Sequence, residues 1–323
     1  MLTELQRLQR LFKSQLTMSQ QNIKIAVTGA TGYVGSQLCQ YFKDRTAGTI
    51  QLTSKPQKAD PKLPVEEFSL TRGVPQGTFA MNKVDVLVHA AYDFSARSRK
   101  DIWQVNVAGS IALFKQAREE GVKRIIFIST MSAYEGCRSL YGNAKLEIEA
   151  ALSDGDGDSC LRPGLVYSTP LDQSRGMIGS IITRIKDSNL VPLLGGGKHQ
   201  LYLTHEEDLG RFCYWLATRP QPTTLRDQKY FTTANPKPYS FRKIVELVLS
   251  ASNRTNVRLI SVPWRTVWLG LKGLETMGIN NEFRSDSVLS LAYQQEQPNF
   301  STVPATFVFR DFADAIHVGD KSR

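Results

Sequence analysis

No apolar run in this 323-residue chain approaches the roughly 18 residues a bilayer-crossing helix needs, so no transmembrane span is expected. Cysteine is scarce: Cys39, Cys137, Cys160 and Cys213 stand apart with no C-x-x-C pair. With no secretion signal either, they read as reduced thiols and a cytoplasmic location. A basic tract is also missing. The formal charge is +10, but lysine and arginine are spread along the chain and no nucleic-acid-binding signature is present. No nucleic-acid partner is therefore expected, and the positive surface suits an anionic cofactor or substrate. His199 and His205 are six apart, in a loop and a strand, and no metal site is expected of them. Internal repeats and long low-complexity tracts are absent. What remains is ordinary soluble composition, 41% hydrophobic and 22% charged, long enough for one large α/β domain or such a domain with a smaller companion.

Residues 1–21 stand apart as an N-terminal extension. Leu2, Leu5, Leu8, Phe12 and Leu16 recur at helical spacing with Arg7, Arg10 and Lys13 between them. The segment has no signal-peptide core or cleavage site, so an added helix, or an upstream start with Met18 as initiator, is preferred to a targeting or membrane-surface helix.

From Asn22 the chain becomes rhythmic. Apolar, β-branched runs predict strands at Ile23–Val27, Thr49–Thr53, Val65–Leu70, Val84–His89, Arg124–Ser129 and Ser159–Val166. Helices are predicted between them at Gly35–Lys43, Trp103–Glu120 and Tyr141–Leu152. Such alternation implies an α/β fold, a doubly wound, Rossmann-like parallel sheet binding ligands at the carboxyl ends of its strands. The Asp/Gly run at 154–158 lacks the ligand spacing of a calcium loop and reads as a turn. After Thr169 the rhythm loosens. The expected division is 22–170 for the dinucleotide-binding part and 171–323 for a smaller substrate-binding part, with some segments returning to the main sheet. The apolar stretch from Pro263 to Leu271 is read as core packing of that second part.

Between the first strand and first helix lies Thr28-Gly29-Ala30-Thr31-Gly32-Tyr33-Val34-Gly35. Its glycines suit a tight turn, a close approach of backbone N–H groups to a pyrophosphate, and close helix–strand packing. The helix start adds unpaired N–H groups and partial positive charge. Further on, Tyr141 and Lys145 form a Y-x-x-x-K pair on one helix face, so phenol and ammonium point into one cleft. A free tyrosine has a pKa near ~10, and an adjacent ammonium favours the phenolate. A hydroxyl-rich strand end, Ser129-Thr130-Met131-Ser132, precedes them.

These motifs resemble the extended short-chain dehydrogenase/reductase superfamily, in particular its epimerase/dehydratase branch, over roughly residues 22–250. The G-x-x-G-x-x-G spacing of Gly29, Gly32 and Gly35, the His89-Ala90-Ala91 turn and Asn106-Val107-Ala108-Gly109-Ser110 carry the resemblance. So do Leu161-Arg162-Pro163-Gly164-Leu165-Val166-Tyr167 and His205-Glu206-Glu207-Asp208-Leu209. The resemblance implies Tyr141 as acid/base, Lys145 tuning it and binding the nicotinamide ribose, and Thr130, by its distance to Tyr134, holding the substrate oxygen. Ser129 and Ser132 remain rivals to Thr130. It also implies cofactor contacts at Gly29, Thr31, Gly32, Tyr33, Val34 and Gly35, and at His89, Ala90, Ala91 and Asn106, and a homodimer. The second strand ends in Thr53-Ser54-Lys55, without the carboxylate that holds a ribose in NAD-preferring members. Lys55 therefore favours NADP, with NAD as the alternative.

Two departures bear on the substrate, for which the branch suggests a nucleotide sugar. Leu165 replaces an asparagine, and Leu201 replaces the arginine that binds a diphosphate; Lys198 and Arg175 are the available substitutes. The expected activity is NAD(P)-dependent hydride transfer at a carbinol or carbonyl carbon of a small molecule, as an oxidoreductase or an epimerase. The alternative is a non-catalytic NAD(P)-binding sensor or assembly factor.

Overall fold

The computed structural model describes residues 22–152, 157–219, 228–279 and 283–318. The N-terminal extension and positions 154–156 of the Asp/Gly run lie outside them. In chain order the first elements are β1 (Lys24–Thr28), α1 (Tyr33–Phe42), β2 (Gly48–Thr53), β3 (Val65–Glu67), α2 (Thr78–Asn82) and β4 (Val86–His89). Then come α3 (Arg99–Ile102), a π-helical turn (Trp103–Val107), α4 (Ala108–Glu119), β5 (Arg124–Ile128), α5 (Leu140–Ala150) and β6 (Ser159–Pro163). The chain continues through β7 (Leu165–Tyr167), α6 (Gly176–Asp187), β8 (Leu190–Leu194), β9 (Gln200–Leu201), β10 (Leu203–His205), α7 (Glu206–Thr218) and β11 (Tyr230–Thr233). Last are β12 (Tyr239–Ser240), α8 (Phe241–Ala251), β13 (Arg258–Val262), α9 (Trp264–Thr276), α10 (Ser285–Ala292) and α11 (Phe312–Val318).

Seven strands form one parallel sheet in the order β11-β6-β5-β4-β1-β2-β3. Helices cover both faces, and the strand sequences show why. Ile25 and Val27, Val86 and Val88, and Ile126 and Ile128 enter the core on one side, with Leu38, Phe42 and Phe212. Ala26, Leu87, Ile125 and Phe127 enter the core on the other, with Phe114 and Ile148. Side chains alternate across a strand, so a strand buried on both faces must be apolar throughout. The strand order reverses between β1 and β4, which opens a crevice at their carboxyl ends.

Two predicted elements differ in form. The sixth strand is divided at Gly164, where a Cβ would strike the Tyr202 carbonyl; β7 leaves the main sheet and pairs with β10. The helix expected from Trp103 begins earlier, at Arg99 behind the Ser98 cap, and carries the π-helical turn that contains Asn106. A second core gathers Ile178, Ile182, Leu193, Ile244, Val248 and Val288. The aromatic stripe of α9 packs against it through Trp264, Val267, Trp268 and Leu271, while Leu269 is 66% exposed. No helix among the described residues is long and apolar enough to cross a membrane.

Candidate active site

The turn after β1 is pressed against the turn after β4. Gly29 has φ +65°, and a Cβ there would come within 2.9 Å of the Ala91 backbone. A Cβ on Gly35 would collide with the Gly29 carbonyl, so α1 starts hard against the strand it follows. The Gly32 N–H donates to the Gly29 carbonyl at 2.8 Å. Gly32 also opens α1, with no side-chain cap and no carboxylate in the first turn. Backbone donors at a helix start with no competing anion make a cradle for phosphate. Thr31 ties this turn to the end of β2 through the Thr53 hydroxyl at 2.7 Å. Tyr33 reaches the other way, its phenol 2.7 Å from the Ser168 hydroxyl, which donates to Glu206. Val34 is half-buried against the core. At the end of β2, Ser54 and Lys55 are exposed, and no carboxylate follows Thr53 before Asp60.

His89 locks the crevice from below. It is fully buried, and both ring nitrogens are engaged. The Ser110 hydroxyl donates to the Asn106 carbonyl at 2.6 Å, so at 2.8 Å it accepts the proton of His89 Nε2. Nδ1 then accepts from the Thr28 hydroxyl at 2.7 Å. The Thr28 oxygen in turn accepts the Ala90 and Ala91 N–H groups, each at 3.2 Å. Only a neutral imidazole satisfies this chain. Burial, helped by the Lys145 charge, pushes the His89 pKa down to about 3. Asn106 continues the network: its amide oxygen accepts the Asp93 N–H at 2.7 Å and its amide donates to the Asp93 carbonyl at 3.1 Å.

Tyr141 and Lys145 come together beneath an aromatic wall. The Tyr141 ring meets Tyr92 edge-on at 4.9 Å and lies 5.8 Å from Phe94. Lys145 is 3% exposed; its ammonium donates to the Ile128 carbonyl at 2.7 Å and sits 4.5 Å from the Phe127 ring centre. The expected lowering of the phenol by this lysine does not occur in the protein alone. Burial pushes Tyr141 up to about 12, offset only in part by the Thr130 hydroxyl nearby. Lys145 falls to about 8, because burial disfavours its charge. The Lys145 ammonium is 5.9 Å from the Tyr141 ring centre and is spent on a carbonyl instead.

Of the three hydroxyl candidates, Thr130 is the one beside Tyr141. Ser129 is buried next to the Cys160 thiol, and Ser132 shares a cavity with Thr130 without reaching the phenol. That cavity, of about 80 Å³, is bounded by the β5 end, the Pro163–Leu165 turn, Met177, Leu201 and one face of α10. Arg175 and Lys198 each line a different hollow, neither sharing a residue with this one. His205 has both nitrogens occupied, Nδ1 accepting the Glu207 N–H at 3.2 Å and Nε2 on the Thr169 hydroxyl at 2.8 Å. Burial holds its pKa near about 4.

One residue escaped sequence reasoning. Asp286 on α10 accepts the N–H groups of Leu140 at 2.6 Å and Tyr141 at 3.0 Å, while Ser139 caps Gly142 at 3.0 Å. The start of the Tyr141 helix is thus held by a carboxylate from the second core, favoured by the helix dipole. Nothing local in the sequence pairs positions 140 and 286; only the fold does.

His89 and His205 make stability depend on pH. Their folded pKa values of about 3 and about 4 lie below the value near ~6.5 of an unfolded histidine, so the unfolded chain binds more protons in between. Stability should hold above about pH 6.5 and decline as pH falls below it. Melting temperature measured from pH 7 to 5 checks this, and His89→Gln should flatten the slope. Replacing Asp286 by alanine should cost about 1–3 kcal/mol in denaturant unfolding by stranding two N–H groups, with Asp286→Asn recovering part of the loss.

Residues 25–226 match the family described as NAD dependent epimerase/dehydratase. Over 162 residues the chain is 25% identical to a UDP-glucose 4-epimerase of Erwinia amylovora, covering 41% of this chain and 48% of that protein. It spans between 46% and 66% of the length of the curated relatives it matches. Among solved structures, UDP-glucose 4-epimerase of Thermotoga maritima with UDP-glucose superposes with TM-score 0.64 at 20% identity, covering 83% of this chain and 97% of that one. The dTDP-glucose 4,6-dehydratase DesIV of Streptomyces venezuelae, with NAD bound, gives 0.63 at 18% identity over 93% and 98%. The structures share the fold, and the family match covers well over half of the chain. The protein belongs to the NAD dependent epimerase/dehydratase family.

Proposed function

We propose that the protein is an NAD(P)-dependent oxidoreductase or epimerase acting at a carbinol or carbonyl carbon of a small molecule. The observation that carries this reading is the grouping of Thr130, Tyr141 and Lys145 beside the Tyr92 ring, one residue beyond the Ala91 backbone that packs on the Gly29 turn. The residues present fit a dinucleotide: Gly29 and Gly35 let the turn pack tightly on the Ala91 backbone and on itself, and the helix start at Gly32 has neither a side-chain cap nor a carboxylate in its first turn. The backbone of Gly32, Tyr33 and Val34 would hold the pyrophosphate. Thr31, Ala90, Ala91 and Asn106 would shape the walls, and Lys145 would take the nicotinamide ribose. Bound NAD(P) supplies a hydride donor or acceptor and, when oxidised, a positive ring.

In reduction, Tyr141 gives its phenolic proton to the carbonyl oxygen as the carbon takes up hydride; in oxidation it takes that proton back. Thr130 holds the same oxygen by hydrogen bond. A phenol near about 12 is a reluctant base, so oxidation needs further positive charge beside it, whereas reduction uses the protonated form already present. His89 acts through others: it fixes the turn against which the cofactor would lie. NADP is proposed ahead of NAD, because Lys55 attracts a 2′-phosphate and Glu67, which lies across from Thr53 on the next strand, is paired with Arg72. A cytoplasmic homodimer belongs to the same reading. A nucleotide sugar is the second substrate reading, favoured by the epimerase and dehydratase relatives.

Tyr141→Phe should lower turnover by roughly 10²–10⁴-fold with cofactor affinity intact, whereas Gly29→Val should abolish cofactor binding. Fluorescence titration with NADPH beside steady-state assays separates the two effects. Unchanged turnover in Tyr141→Phe would leave a non-catalytic binding role. Lys55→Glu should shift the ratio of NADP to NAD affinity toward NAD; an unchanged ratio in the same titration would remove Lys55 from cofactor choice.

A further inference from the structure

We infer that the substrate moiety seated beside Thr130 is small, uncharged and mostly apolar, a ketone or secondary alcohol on a hydrocarbon frame, and is not anchored by a diphosphate. This rests on the hydride-transfer reading above and names the substrate class for the same site. The cavity that Thr130 opens into has no charged side chain in its lining. Met131, Leu165, Met177, Leu201 and Leu291 supply apolar wall, and the polar groups that join them are neutral: Thr130, Ser132, Tyr202, Ser290 and Gln294. Gln294 already donates to the Ser290 carbonyl at 2.5 Å, which leaves its amide oxygen as the part able to meet a hydroxyl.

A diphosphate brings about two negative charges, and burying them without a cation costs far more than neutral hydrogen bonds return. The position where a cation would help is closed. Leu201 pairs with Tyr239 across β9 and β12, is 3% exposed, and packs into the second core. Arg175 and Lys198 belong to separate hollows, as described. Neither Arg138 nor Arg284 lines the cavity. Arg138 lies 4.1 Å over the Tyr293 ring, and Arg284 donates to the Phe94 carbonyl at 3.4 Å and helps hold Glu275 below the usual carboxylate range. Size agrees with charge. About 80 Å³ is well below the roughly 300–1,000 Å³ of pockets that enclose drug-sized ligands. Beyond Tyr141, the wall is again aromatic, with Phe94 61% exposed at its edge.

The test uses the full-length protein saturated with NADP or NADPH. UDP and UDP-glucose, at millimolar concentration, should leave the melting temperature unchanged. From a panel of neutral ketones (cyclohexanone, 2-octanone and 4-phenyl-2-butanone) at least one should be reduced, with loss of NADPH absorbance. Each turnover moves one hydride from NADPH to the carbonyl carbon and one proton from Tyr141 to its oxygen, the phenolate being reprotonated from water. Met177→Lys, which places a cation in the wall at a half-buried site, should raise KM for that ketone about tenfold or more with NADPH affinity unchanged. Met177→Leu should behave as the unmodified protein. Stabilisation by UDP or UDP-glucose, or failure of every ketone while NADPH still binds, overturns the inference and leaves the hydride-transfer reading standing. Failure to bind NADPH and NADH alike overturns both.

Discussion

The carboxyl ends of β1 and β4 are latched together, and the geometry of the whole crevice depends on that latch. Gly29 has no side chain because the Ala91 backbone occupies the space. Thr28 closes the gap from beneath by accepting two N–H groups from the β4 turn while donating to His89. His89 passes the constraint on through Ser110 to the carbonyl of Asn106, and so to the π-helical turn. Every donor in this chain has one acceptor, which fixes the tautomer and leaves no room for a second protonation state. A buried polar chain that is fully satisfied is rigid, and rigidity is what a cradle for a flexible dinucleotide requires.

Above the latch, burial outweighs charge. An ammonium and a phenol one helical turn apart would be expected to draw each other toward the ionised pair. Here Lys145 is buried and Tyr141 half-buried, and each shifts toward its neutral form, the phenol upward and the ammonium downward. Tyr141 is therefore held in its protonated form. Positive charge arriving next to Tyr141 would oppose that bias.

The second core does more than cover the crevice. Asp286 holds the first N–H groups of the Tyr141 helix, the Tyr134 phenol donates to the Tyr293 carbonyl at 3.0 Å, and α10 walls the cavity at Thr130. Residues more than 140 positions apart in the chain thus set the place of one phenol. A shift of α10 would move Tyr141 and reshape the Thr130 cavity together, because the same helix serves both.

Much of this was legible in the sequence because it is local. The alternation of apolar runs gave the parallel sheet, since a strand buried on both faces cannot be otherwise. The glycine spacing gave the turn, and the four-residue interval between Tyr141 and Lys145 put them on one helix face. What the sequence left open was whatever depends on distance in the chain. Thr130 was preferred to Ser129 and Ser132 by resemblance alone, because a one-residue change of register turns a different side chain to the cleft. Leu201 left the place of a cation open; the fold puts Arg175 and Lys198 outside the lining of the Thr130 cavity. The pKa directions at Tyr141, Lys145 and His89 follow from desolvation, and desolvation is a property of packing that no run of neighbouring residues specifies. Local pattern determined the frame and the chemical groups; tertiary contact decided which of them face each other, and in what state of charge.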